Sequence, residues 1–385
     1  MPTERPIYLD HNATTPVDPA VFAAMRPYLE TEFGNPSSSH AYGQAAHRAV
    51  EHARRQVAEL LGADPAEIVF TGGGSEADNL AICGVAFSQW DRGRHIVTTA
   101  VEHPAVLNTC RYLQRRHGFA VTVLPVDRTG LVDPDDVRRA LRDDTILVSV
   151  MHAQNEVGTV QPVAEIAAAA RERGIAFHTD AAQSVGKVPV PVQGLGVDLL
   201  AVAGHKIYAP KGVGALYVRS GLTLEPLIHG AGHEDGRRAG TENVAGIVGL
   251  GKACALARKH LNEEASRLQG LRDELWRQLA EAVPGLRLHG HPDRRLPNTL
   301  NVGIPGVAGE DLLAAAPGIA ASTGSACHAR RTEPSGVLLA MGLGPAEALA
   351  AVRLSLGRFT TEEDVGKAAD LLIAAATTLG QTRRG

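Results

Sequence analysis

The sequence predicts an α/β protein, with a large unit built on a mostly parallel sheet and a smaller α+β unit after it. Three observations lead there. The chain has 385 residues, more than one ordinary core accommodates, so two units are expected. Short strand-like runs alternate with segments of helical periodicity through the first two-thirds. After about residue 243 this alternation yields to a long Ala-, Arg- and Glu-rich stretch followed by shorter strands.

Residues 43–61 carry Ala46, Val50, Val57, Leu60 and Leu61 at helical spacing, and Gly62 stops the run. EIVFT at 67–71 is expected as a strand, followed by a glycine-rich turn and a helix over 75–87. Further strands are expected at 95–99, 120–126, 145–151, 175–179, 198–203 and 214–218. Helices are expected at 104–117, opened by Pro104, and at 133–142 and 162–173. Strands separated by helices imply parallel pairing with crossover helices on both faces. Beyond that, a helix over 245–282 leads to strands at 286–289 and 298–303 and a helix at 309–316. A strand at 318–323, a turn-rich stretch, a strand at 351–356 and a helix at 361–379 complete the α+β part. The expected division is an N-terminal arm (1–16) packing on the small unit, a large unit (17–243) and a small C-terminal unit (244–385).

Hydrophobic residues make up 44% and charged residues 21%, the balance of a globular protein. Lys and Arg number 38 against 42 Asp and Glu, a net charge of −4. That excludes a broad basic field for nucleic acid and a strong pull toward an acidic membrane surface. The opening stretch MPTERPIYLDHNATTP lacks the apolar segment of a secretory signal, and other apolar runs stop short of a membrane span. Of the four cysteines, Cys83, Cys110, Cys254 and Cys327, none forms a C-x-x-C pair. This argues against a zinc site and a disulfide framework, so no metal and a cytoplasmic location are expected.

Three clusters carry chemistry. Thr71-Gly-Gly-Gly-Ser-Glu-Ala-Asp-Asn79 lies between a strand and a helix, where glycine N–H groups and a helix N-terminus suit an anion. Read alone, it fits a plain Gly turn with a Ser75 cap better, since such turns are common. His178-Thr-Asp-Ala-Ala-Gln183 puts the Asp180 carboxylate at a strand tip, facing a ligand crevice or capping a turn. Ala203-Gly-His-Lys206 puts an amine just past a buried strand, either a nucleophile toward an aldehyde if desolvation lowers its pKa or a plain surface lysine in a loop. Together they supply an anion cradle, an acid for a pyridine nitrogen and an amine for an aldehyde, the needs of pyridoxal phosphate. Cys83, Cys110 and Cys254 fall within predicted helices and read as buried small side chains. Cys327 differs: it follows Gly324-Ser-Ala and precedes His328-Ala-Arg330-Arg331, where adjacent cations favour the thiolate.

Further blocks occur in order: Tyr8-Leu-Asp-His-Asn-Ala-Thr-Thr-Pro16, Phe33-Gly-Asn-Pro-Ser37, Glu102-His103, Asn155-Glu-Val-Gly158, Arg238-Ala-Gly-Thr-Glu-Asn243 and Gly357-Arg-Phe-Thr-Thr361. With these, the chain resembles the NifS/IscS family of cysteine desulfurases, of the class V aminotransferase group, over nearly its whole length. The resemblance implies the PLP-dependent transferase fold type I and a homodimer. It implies that Lys206 holds pyridoxal 5'-phosphate covalently, that Asp180 keeps the ring nitrogen protonated, and that His103 stacks on the ring and partners a proton. Gln183 and Asn155 would bond the ring's phenolic oxygen or nearby atoms, and Gly74, Ser75 and His205 the phosphate, with Thr241 from a second subunit. Arg353, Asn35 and Asn155 would grip the carboxylate of the substrate L-cysteine. Cys327 would take the sulfur as a persulfide, leaving alanine, and pass it to a sulfur-acceptor protein, with iron–sulfur cluster assembly among the open destinations.

The chain departs from the family's frequent choices at Ser75, Ala77, Gln154 and Ala203. Many members carry a Ser in place of Ala203 as a phosphate ligand, and losing one hydrogen bond to a charged group costs roughly 1.5–3 kcal/mol. Ala203 and the Ala-Cys-His run at 326–328 also resemble selenocysteine lyases, the alternative reading, with a class V aminotransferase or a non-catalytic scaffold as further ones.

Overall fold

A computed structural model describes residues 5–324 and 333–382. Strand β1 (Ile7–Tyr8) comes first, followed by helices α1 (Pro19–Glu30) and α2 (Ala41–Leu61). Asp18 caps α1 by accepting the Ala20 N–H at 2.8 Å, and Pro19 takes the first position, where no N–H is needed. The sequence reading does not mark α1, because Pro27 interrupts its pattern. α2 ends where expected, at Gly62, whose φ of 67° is a left-handed cap.

Then comes the alternating series: β2 (Ile68–Thr71), α3 (Gly74–Ser88), β3 (His95–Thr99), α4 (Pro104–His117), β4 (Ala120–Leu124), α5 (Pro134–Ala140) and β5 (Thr145–Ser149). It continues with α6 (Val163–Glu172), β6 (Ala176–Asp180), α7 (Val192–Leu195), β7 (Leu199–Ala203) and β8 (Gly214–Val218). These strands form one seven-stranded sheet in the order β2-β8-β7-β6-β5-β3-β4. All but β4 are buried at every position, which is why they read as nearly continuous apolar runs. The pairs from β4 through β3, β5 and β6 to β7 are parallel, whereas β8 runs antiparallel to β7 and β2. Only residues 204–213 join β7 to β8, too few for a crossover helix, so the chain folds straight back.

Helix α8 (Val244–Ala282) leads into the second half: β9 (Arg287–His289), β10 (Thr299–Gly303), α9 (Gly309–Ala315), β11 (Ile319–Ala320), α10 (Gly336–Ala340), α11 (Pro345–Leu349), β12 (Ala351–Ser355) and α12 (Glu362–Thr382). β12, β10 and β9 form an antiparallel sheet, and β1 pairs in parallel with β11. The strand expected over 318–323 contracts to β11 plus a single bridge from Ser322 to Arg353, because among the described residues β1 is its only strand neighbour. α10 and α11, five residues each, are too short to show a helical period in sequence.

Two cores cover the large sheet. One, with Val50, Phe70, Val148, Phe177 and Leu250, lies under α2, α6 and α8; the other, with Leu80, Ile82, Ile96 and Val106, lies under α3 and α4. A third core gathers Leu271, Leu275, Val302, Leu354 and Leu372, and the arm contributes Leu9 to it. α8 serves two cores: Ile247, Leu250 and Cys254 join the first, while Leu268, Leu271, Leu275 and Leu279 join the third. Cys83, Cys110 and Cys254 are buried free thiols, which burial pushes up to about 11, 12 and 12. Among the described residues, no helix is long and apolar enough to cross a membrane.

Candidate active site

A cleft of about 1150 Å3 opens at the carboxyl ends of β5, β6 and β7. Parallel strands end in loops there, which makes this rim the natural place for a ligand. Gly74, Ser75, His103, Asn155, Asp180, Gln183, His205, Lys206 and Arg353 all line it.

The anion cradle sits at the start of α3. Gly73 precedes the helix with φ 151°, a backbone that favours glycine, and no side chain caps the first N–H groups. Those groups and the helix dipole point into the cleft, ready for an oxyanion. Gly74 packs against β7 so closely that a Cβ there would meet the Ala203 Cβ at 3.0 Å. Ala203 therefore borders the cradle with a methyl group where a hydroxyl would have added a donor.

Asp180 ends β6, and its Oδ1 accepts the Ala182 N–H at 2.9 Å. His103 caps α4, with Nδ1 accepting the Ala105 N–H at 3.1 Å, which leaves the proton of the neutral ring on Nε2. Burial first, and then the Lys206 charge, lower the His103 pKa, while Asp180 opposes them. Asp180, His103 and the buried Asp78 of α3 bring one ligand atom each within 4.8 Å of one another. Burial first, and then Asp180 and Glu102, push the Asp78 pKa up, which favours its protonated form.

Lys206 lies in the turn after β7, and its Nζ donates to the carbonyls of Asn12 and, at 2.8 Å, Ala13. His205 Nδ1 meets Thr14 Oγ1 at 3.1 Å, and burial with the Lys206 charge pushes its pKa down to about 4. Gln183 Nε2 donates to the Asn12 carbonyl at 2.9 Å. Arg353, on β12 and only 2% exposed, pairs with Asp10 at 2.7 Å and donates to the Asn155 carbonyl at 3.1 Å. Its Nε has no hydrogen-bond partner among the described residues.

The structure does not bring Asn35 or Thr241 to this cleft. Asn35 is exposed and accepts the Ser37 N–H at 2.9 Å, and Thr241 is exposed too. Their neighbours Ser37 and Glu242 line a separate cavity of about 840 Å3, together with Arg54 and Glu234. Cys327 lies outside the described residues. Several contributors escaped the sequence reading: Asp10 and Asn12, inside a quoted block but given no role, Asp78 and Glu102 likewise, and Lys187, which no motif marks. Glu102 is buried, accepts from Thr99 Oγ1 at 2.8 Å and from the Met151 N–H, and is pushed up to about 8 by burial.

Known proteins match this chain in sequence and fold. The pattern of the family described as Aminotransferase class-V fits residues 7–367. The chain belongs to that family. Among class-V relatives, it is 49% identical to the cysteine desulfurase IscS of Dictyoglomus turgidum, over 96% of this chain and 94% of the relative. It is 50% identical to the cysteine desulfurase IscS of Methanosarcina thermophila, over 95% and 91%. A solved NifS-like protein superposes with a TM-score of 0.91 at 38% identity, covering 97% of this chain and all, 100%, of the other. SspA, solved in complex with cysteine, superposes with a TM-score of 0.82 at 40% identity, covering 92% and 99%. The class-V fold expected from sequence, PLP-dependent fold type I, is thus the fold of this chain.

Proposed function

We infer that this class-V enzyme is a cysteine desulfurase, which uses pyridoxal phosphate to take sulfur from L-cysteine and leaves L-alanine. The observation that carries this reading is the convergence of Lys206, Asp180, His103 and the Gly74–Ser75 turn on one cleft. The residues present fit the cofactor. The uncapped start of α3 suits a phosphate, Asp180 suits a ring nitrogen, and the Lys206 amine suits an aldehyde. Gln183 and Asn155 stand on the same cleft for the ring oxygen, and His205 for the phosphate.

Bound pyridoxal phosphate supplies an electron sink for the pair left at the substrate Cα. The chain's own groups do the rest. Asp180 holds a proton on the ring nitrogen. Lys206 Nζ takes the Cα proton and returns one, with the neutral His103 ring as its proton partner. The Arg353 guanidinium, oriented by Asp10, receives the substrate carboxylate. The Cys327 thiolate would attack the substrate sulfur: the persulfide S–S bond forms as the substrate Cβ–S bond breaks, the electron pair stays with the carbon skeleton that is protonated to L-alanine, and an acceptor protein's thiol then takes the outer sulfur.

A homodimer completes the proposal, with Thr241 serving a partner's phosphate site; its exposure and its distance from its own cleft support this. The arm, a unit over 17–243 and a unit over 244–385 form the proposed division, with α8 bridging the last two.

Cys327→Ser tests the reading. The purified variant should keep its bound cofactor and lose alanine formation from cysteine by several orders of magnitude. Full alanine and sulfide output from the variant would overturn the persulfide step. Running selenocysteine beside cysteine separates the desulfurase from a selenocysteine lyase, the reading that Ala203 beside the cradle favours.

A further inference from the structure

A second lysine is buried directly behind the cleft. Lys187 is 9% exposed, and its Nζ donates to Gln183 Oε1 at 2.8 Å and Asn12 Oδ1 at 3.3 Å. Both acceptors are neutral amides. Its charged neighbours are cations, Lys206 and Arg353. An amine buried this way is costly, and a methionine of similar length would fill the space without the penalty. What the amine does there is visible in its partners.

Asn and Gln side chains are nearly symmetric in shape, so their orientation follows from which end finds a donor. Lys187 carries donors only and claims the carbonyl end of both amides. Gln183 is thereby turned with Nε2 away from Lys187: one of its two N–H groups meets the Asn12 main-chain carbonyl, and the residue itself lines the cleft. Asn12 is held the same way by Lys187 and by Asn298 Nδ2 at 3.1 Å, so its own Nδ2 reaches Thr299 Oγ1 at 2.8 Å and the Asn155 carbonyl at 3.2 Å. The Asn12 main-chain carbonyl, a separate oxygen, accepts from Lys206. One amine thus fixes two side-chain amides that line the cleft.

We propose that Lys187 is a positioning residue of the cofactor site: by holding the carbonyl ends of Gln183 and Asn12, it keeps a Gln183 N–H aimed at the ring oxygen of pyridoxal phosphate. This rests on the cofactor reading above. The titratable and charged groups around the two lysines are His11, His103, His205, Asp180 and Arg353, and all stay unchanged in the variants.

The test is a pH titration of the visible absorbance of bound pyridoxal phosphate in purified holoenzyme. Four proteins are compared: wild type, Lys187→Met, Gln183→Met and the double variant. A donor on the ring oxygen favours the deprotonated form of the linkage, so its loss moves the midpoint up. Lys187→Met should raise the midpoint by about one pH unit, the scale of one hydrogen bond to a charged group. It should weaken cofactor retention about tenfold in equilibrium dialysis. In the Gln183→Met background the same change should add nothing, because the amide it orients is gone. An unmoved midpoint in Lys187→Met overturns the proposal. An equal shift in both backgrounds overturns it as well, since that marks a through-space effect of charge. Lys187→Gln, which retains a donor, is the second variant should the methionine protein not fold, and an intermediate shift is expected. Wild-type protein that takes up no pyridoxal phosphate overturns the cofactor reading itself, an outcome distinct from the other two.

Discussion

Arg353 shows how a single side chain divides its work. Its guanidinium is held by Asp10 and the Asn155 carbonyl, so in the proposed role it would meet a substrate carboxylate already oriented. Lysine carries the same charge without the fork. Arg353→Lys should therefore raise the KM for cysteine by about tenfold or more, the worth of roughly one charge-assisted hydrogen bond, with cofactor content unchanged. Steady-state kinetics beside an absorbance count of bound cofactor checks this. Glu102 gives a pH prediction. Its folded pKa, near 8, lies above the unfolded value of about 4.5, so the folded state holds the proton more tightly. Its contribution is fully present below about pH 4.5 and is lost as pH rises toward 8, on the order of a few kcal/mol. Glu102→Gln should flatten this fall, as read by urea unfolding at pH 5 and pH 8. At this scale Asp180 and Lys206 stood out in the sequence as an acid at a strand tip and an amine just past a buried strand, whereas His103 drew its role only from the family resemblance. Lys187 was not, because its partner Asn12 lies in the N-terminal arm, far away along the chain, and no local pattern marks that contact.

Elements were legible wherever period and punctuation agreed. α4 starts at Pro104 and stops at Gly118, whose φ is 70°, and both signals stand in the sequence. α1 hid behind Pro27, and the antiparallel turn of β8 followed from a connection length rather than from residue type. The packing of α8 on α2 was also invisible beforehand. It depends on Gly251, where an added Cβ would meet the Ala53 Cα at 2.6 Å. That atom belongs to the backbone and cannot swing aside. Gly251→Ala should force the helices apart and cost roughly 1–3 kcal/mol in chemical denaturation, despite the better helix propensity of alanine. An unchanged or improved midpoint would show that the two helices separate freely.

For the whole molecule, the cores are tied together by α8 and by the arm. Leu9 is fully buried in the third core, and Leu9→Ala should cost about 2–5 kcal/mol. Because α8 belongs to two cores, that loss should lower one shared unfolding transition, seen alike by tryptophan fluorescence and by far-UV circular dichroism. Two separated transitions would show that the cores melt independently.

The arm has one more consequence. The Leu9 carbonyl accepts from the Ser355 N–H at 2.7 Å, and Asp10 grips Arg353, so residues translated first meet partners translated last. A ribosome-bound chain that has emitted Lys206 but not yet β12 lacks the wall on which the arm seats. On the proposed cofactor reading, a nascent chain stalled before β12 should therefore emerge colourless.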